Sequence, residues 1–207
     1  MSRIGILGGT FNPIHSGHIK LGNYAQKELS LDKVFLIPTY TPPHKSSEHL
    51  ISESHRLNMC KIASEKYSFY EVNDIEIKLR GKSYTYKTLE LLNKQYPDDE
   101  LFLIMGADMF LTLDRWKNPD IIFEYASIIA APRNESNFSQ MKMFYDKVLR
   151  KFGAECHILQ NPVEQVSSTF IRKNIKNSDL VSHLLDADVY KYIIANNLYC
   201  GSDSNDN

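Results

Sequence analysis

Two histidines three residues apart, in a glycine-bearing stretch, are the first feature of this sequence that could do chemistry. The stretch reads Gly8-Gly9-Thr10-Phe11-Asn12-Pro13-Ile14-His15-Ser16-Gly17-His18. It lies between a short apolar run and a helical pattern. Glycines at such a junction let backbone N–H groups approach a ligand closely. A helix start beside them favours an anion, through its free N–H groups and its dipole. Both histidines could donate to a phosphate there. The stretch is neither GxxxxGK[ST] nor GxGxxG, so the two familiar nucleotide fingerprints are absent. The blander alternative is a plain turn with surface histidines, but strand, Gly-Gly, Pro13, HxGH and helix together favour a ligand site.

Three further segments could share such a site. Thr41-Pro42-Pro43-His44-Lys45 puts a cation in a stiff loop, from which it could reach a triphosphate. Gly106-Ala107-Asp108 follows the most apolar run of the chain. A carboxylate there should bind something polar, such as a ribose hydroxyl, or else cap the next helix. Val166-Ser167-Ser168-Thr169-Phe170-Ile171-Arg172 opens a helix with hydroxyls and an arginine on its first turn. Arg172 can fork onto a phosphate, or the segment is an ordinary capped helix. Trp116, the only tryptophan, could stack on a flat ligand or simply pack.

The elements that must position these residues alternate between strand and helix. Apolar runs at 4–7, 34–37, 101–105 and 128–131 read as buried strands, with a weaker one at 156–159. Residues 69–79 read as strand, on the alternation Ile75-Glu76-Ile77-Lys78-Leu79. Helices are expected at 17–29, at 53–66 with Ser52 as N-cap, at 85–95, along 141–152, at 168–174 and at 189–194. Residues 39–52 form a polar, proline-bearing loop long enough to suspect function, and it is expected to close over a bound nucleotide. Strands apolar on both faces imply a parallel sheet covered by helices on both sides, and such sheets bind ligands at the carboxyl ends of their strands. The expected class is α/β, a Rossmann-like doubly wound parallel sheet with a small helical C-terminal part at about 160–200. One domain over 1–200 and a flexible tail at 201–207 complete the expectation.

Composition narrows the function classes. The 207 residues carry 24 Lys+Arg against 25 Asp+Glu, a formal charge of −1. That balance removes the bulk electrostatic case for nucleic acid or a membrane surface as partner. Cys60, Cys156 and Cys200 are widely spaced and form no CxxC, which argues against a disulfide framework or a thiolate metal site. No signal-like or membrane-spanning run is read, so a reducing cytoplasm is expected. The sequence does not fix the oligomeric state, and a homo-oligomer stays open.

His15-Ser16-Gly17-His18, with the late Ser168-Thr169-Phe170-Ile171-Arg172, resembles the nucleotidyltransferase superfamily that includes class I aminoacyl-tRNA synthetases. Within it, the chain from about residue 3 to 199 is similar to the bacterial nicotinate mononucleotide adenylyltransferases. Pro42-Pro43-His44-Lys45, Ser83-Tyr84-Thr85, Gly106-Ala107-Asp108 and Trp116 extend the resemblance. Asn12 stands where that family often has Asp. The resemblance implies attack of the mononucleotide phosphate on the α-phosphorus of ATP, giving nicotinate adenine dinucleotide and pyrophosphate. Mg²⁺ would be held mainly by the ATP phosphates, with no protein metal ligand. It implies His15, His18, Lys45 and Arg172 as catalytic. It implies Gly8, Gly9, Thr10, Phe11, Gly17, Gly106, Asp108, Ser168 and Thr169 around ATP, and Tyr84, Thr85, Trp116 and Lys45 around the mononucleotide. Three alternatives stay open: a sibling transferase acting on another phosphorylated small molecule, a nucleotide-binding regulator, and a tRNA-binding synthetase fragment.

Overall fold

The computed structural model describes residues 1–42, 50–163 and 166–200. Its strands are β1 (Arg3–Gly9), β2 (Lys33–Pro38), β3 (Tyr70–Val72), β4 (Glu100–Gly106), β5 (Ser127–Ala131) and β6 (Cys156–Ile158). They form one sheet in the order β3-β2-β1-β4-β5-β6, with every pairing parallel. The winding reverses between β1 and β4, where a ligand crevice opens at the carboxyl ends of such a sheet.

The helices are α1 (Ser16–Leu29), α2 (Glu53–Ser64), α3 (Ile75–Leu79), α4 (Thr85–Gln95), α5 (Ala107–Phe110), α6 (Pro119–Tyr125), α7 (Glu135–Lys147), α8 (Ser168–Lys173), α9 (Ser178–Val181) and α10 (Ala187–Ala195). Strand residues alternate between two apolar layers, as the two-residue side-chain period demands. Val34, Leu36, Phe102, Ile104 and Ile129 pack with Leu21 of α1, Met59 of α2 and Val189 of α10. Ile6, Phe35, Ile37, Leu103 and Ile128 pack with Leu89 and Leu92 of α4 and Met141 of α7. Gly5 in the central strand is required by contact: a Cβ there would stand 2.8 Å from both Ile104 Cδ1 and Leu31 Cδ1. The doubly wound parallel class expected from the alternating apolar runs is what the chain adopts, and among the described residues three α-helices and a 3-10 turn follow β6.

Two local expectations are corrected. Residues 69–79 are not one strand: β3 covers only Tyr70–Val72, and Ile75–Leu79 is helical. Asn73 Oδ1 accepts from the N–H of Ile75 at 3.0 Å, and Lys78 pairs with Asp74 at 2.8 Å across one turn. These local bonds favour helix, and burial falls on the adjacent residues Ile75 and Glu76 rather than on alternate ones. The helix expected along 141–152 instead begins at Glu135 and ends at Lys147, and Leu149–Phe152 is a separate 3-10 turn closed by Gly153 at φ 73°. Ser52 does cap α2, accepting from His55 N at 3.4 Å. The tail at 201–207 and residues 43–49, half of the 39–52 loop, lie outside the described residues, and the expected closure of that loop does too. Among the described residues, no helix is long and apolar enough to cross a membrane.

Candidate active site

A cavity of about 400 Å³ opens at the carboxyl ends of β1, β4 and β5. Gly8, Gly9 and Thr10 form its β1 side, and Gly106 and Asp108 its β4 side. His15, Gly17 and His18 enter from the start of α1, and Tyr84, Thr85 and Trp116 from the opposite wall. Four separate sequence segments are thereby brought to one space.

The two histidines are placed by helix capping. His15 is the N-cap of α1, in extended geometry, and its carbonyl accepts from His18 N at 2.9 Å. The N–H of His15 donates in turn to His18 Nδ1 at 3.2 Å. An imidazole whose Nδ1 accepts must carry its proton on Nε2, so this bond makes His18 an Nε2–H donor. The two rings stack, and the Phe11 ring meets the His18 ring edge-on at 5.0 Å. His15 is 7% exposed, and burial pulls its pKa down to about 4, so it is a neutral imidazole near pH 7. Among the described residues, its Nδ1 is buried with no hydrogen-bond partner.

The opposite wall is built around the start of α4. Its N-cap is Tyr84, which offers no side-chain acceptor to the first turn. Helix geometry leaves the earliest N–H groups without intrahelical partners, so those at Thr85 have no helix carbonyl to bond. Ser83 Oγ accepts from Tyr40 N at 3.0 Å, fastening this wall to the loop after β2. Lys117 Nζ lies 4.6 Å from the centre of the Tyr84 ring, and Trp116 Nε1 donates to Thr112 Oγ1 at 3.4 Å.

Several expected residues sit elsewhere. Phe11 does not line the cavity: it is 1% exposed, with its ring beneath Gly9, where a Cβ would come within 2.9 Å. Ser168, Thr169 and Arg172 also lie outside the lining. Ser168 Oγ donates to Pro13 O at 3.3 Å, and Arg172 donates to Asn12 O at 2.8 Å and to Thr169 Oγ1 at 3.3 Å. Tyr199 Oη donates to Asn12 Oδ1 at 2.9 Å. These groups prop the turn before His15 from beneath. Asp108 is not a buried orphan and not a cap: Gly106 is the N-cap of α5, and the Asp108 carboxylate is 63% exposed and paired with Arg133. Lys45 lies outside the described residues.

Sequence reasoning missed Glu76, Arg133 and Arg56. Glu76 and Arg133 line the cavity. Glu76 is 7% exposed, accepts from Thr88 Oγ1 at 2.8 Å, and has its carboxyl pKa raised by burial. Arg133 follows β5, so the rule that ligands meet strand carboxyl ends could have found it. Nothing in the sequence distinguishes Arg56, on α2, from a solvated helix residue, yet it is 1% exposed.

Comparison with known proteins gives the family and the fold. The cytidylyltransferase-like family profile matches residues 6–174. A Clostridium tetani protein named "probable nicotinate-nucleotide adenylyltransferase" is 38% identical over 201 residues, covering 96% of this chain and all of that one. A protein of the same name from Lachnoclostridium phytofermentans is 34% identical over 199 residues, with the same coverage. The fold is similar to that of Plasmodium falciparum nicotinic acid mononucleotide adenylyltransferase complexed with NaAD. That match has a TM-score of 0.76 at 20% identity, over 99% of this chain and all of the other.

Proposed function

The chain belongs to the nicotinate-nucleotide adenylyltransferases, within the cytidylyltransferase-like family, and on that premise we propose how its cavity joins ATP to nicotinate mononucleotide. The products are nicotinate adenine dinucleotide and pyrophosphate. The observation that carries this reading is one cavity with His15 and His18 on one wall and Tyr84, Thr85 and Trp116 on the other.

The attacking group is already a phosphate anion, so no base and no covalent intermediate is needed. The protein's work is alignment and charge stabilisation. The Gly8-Gly9-Thr10 turn and the start of α1 receive the ATP phosphates. His18 donates from Nε2 as charge moves to the leaving pyrophosphate, with neutral His15 beside it. Lys45, which lies outside the described residues, is assigned to the phosphates on the family resemblance alone. Ser168, Thr169 and Arg172 act from beneath, by holding the turn at Asn12 and Pro13 in place. Asp108, steadied by Arg133, takes the adenosine ribose hydroxyls at the rim. Mg²⁺ is assigned to the triphosphate as part of the substrate, where it would neutralise charge.

At the opposite wall, Trp116 and Tyr84 flank the pyridine ring, and the open N–H groups at Thr85 take its carboxylate. The reaction is placed in the cytoplasm, with small molecules rather than nucleic acid as partners. The test is pyrophosphate release with ATP and Mg²⁺, comparing nicotinate with nicotinamide mononucleotide. A strong preference for the nicotinate form is expected. Equal rates would discard the Thr85 reading, and release with neither would discard the assigned reaction.

A further inference from the structure

We propose that Arg56 is a positioning residue of the nucleotide cradle. From α2 it locks together the carbonyls that follow β1 and β2, and it stands as a buried positive charge behind the loop that receives the phosphates. The inference rests on reading the cavity as an ATP site.

The guanidinium is 1% exposed, and its bonds all go to backbone oxygens. Nη1 donates to Thr10 O at 2.9 Å and to Thr39 O at 2.5 Å. Nη2 donates to Tyr40 O at 3.2 Å, and Nε to Ile51 O at 3.3 Å. One side chain therefore spans three segments that meet at the site: the turn after β1, the start of the loop after β2, and the approach to α2. Thr10 and Thr39 both line the cavity, so the cation lies one peptide group behind its wall.

Two consequences follow from this placement. The C=O and N–H of a trans peptide point in opposite directions. Holding Thr10 O against Arg56 therefore fixes the Phe11 N–H away from the guanidinium, and the orientation of the glycine turn is set from behind. The second consequence is electrostatic. Among the described residues no carboxylate is in ion-pair contact with Arg56, and Glu53 and Glu76 act on it only at longer range. A buried cation held by neutral carbonyls is costly to the empty protein. A polyanion in the cavity offsets that cost, so the same charge that strains the empty site favours the nucleotide's phosphates over its base and sugar.

The discriminating measurement is the affinity of wild type, Arg56→Lys and Arg56→Met for ATP and for adenosine, together with kcat. Circular dichroism at the assay temperature checks that each variant is folded. In Arg56→Met, ATP binding is expected to weaken about tenfold, while adenosine binding stays within about twofold. Lysine keeps the charge but cannot span three segments, so Arg56→Lys retains most of the ATP affinity. Its kcat still falls on the order of 10²-fold, the usual cost of a displaced site. Equal weakening of ATP and adenosine, or wild-type kcat in Arg56→Lys, would overturn the proposal. If Arg56→Met does not fold, the kcat of Arg56→Lys decides. Wild type that binds no ATP would overturn the nucleotide reading and this inference with it. Wild type that binds ATP and turns over, beside variants that match it, would overturn the role of Arg56 alone.

Discussion

The rings of His15 and His18 lie 3.6 Å apart, centre to centre, with their planes 20° from parallel. Stacking at that distance disfavours charging both rings, and His15 is the one shut away from water. Its pKa drops from 6.5 to about 4 because burial penalises the charged form. A native pKa below the unfolded one means that the unfolded chain takes up the proton first. The stabilising contribution is thus complete above pH 6.5 and is lost as pH falls toward 4. It amounts to about 3 kcal/mol over that window. Thermal unfolding between pH 4 and 7 should show the slope in wild type and a shallower one in His15→Asn. Parallel profiles would contradict it.

His18→Ala removes the Nε2–H donor. By analogy with loss of a single oxyanion donor, kcat should fall on the order of 10²–10³-fold. Steady-state pyrophosphate release reads this directly, and full activity would refute the phosphate contact.

Trp116 is held by Thr112 and lines the wall opposite the histidines. Trp116→Ala should raise KM for the mononucleotide roughly tenfold or more, the worth of one lost stacking partner. KM for ATP should stay within about twofold. An equal rise in both would place Trp116 outside the mononucleotide subsite.

Gly22 of α1 faces Tyr70 of β3 so closely that a Cβ would lie 2.1 Å from the Tyr70 hydroxyl. That hydroxyl donates to Ile19 O at 3.0 Å. Gly22→Ala must push the ring aside and break the bond. The expected cost is about 2–4 kcal/mol, from overpacking and one lost hydrogen bond. In a chain of this size that lowers Tm by roughly 5–15 °C. An unchanged Tm would show that β3 yields freely at the sheet edge.

The sequence made some of this legible and hid the rest for physical reasons. β1, β2, β4 and β5 read directly as strands because a parallel strand buried on both faces must be apolar throughout, and Gly or Pro ends each run. The cavity's place followed from the same strands. Phe11 was harder, because a residue inside a ligand-binding loop gives no sign of which way its ring turns; here it turns into the core. Arg172 sits on the expected helix turn, but its guanidinium is drawn to a backbone carbonyl 160 positions away. Arg56 was invisible for a similar reason: its carbonyl partners exist at every residue, so no sequence pattern marks them. Residues 75–79 misled because alternating apolar and polar types resemble a strand while Asn73 and Asp74 start a helix locally.

The bond from Tyr199 to Asn12 joins residues 187 positions apart. A ribosome makes Asn12 early and Tyr199 late. The residues of all six strands are made before any of the three ties beneath the turn, from Ser168, Arg172 and Tyr199, and the Tyr199 tie comes last. A chain halted between residues 172 and 199 therefore has every strand residue and the ties from Ser168 and Arg172, and lacks only the bond to the Asn12 side chain.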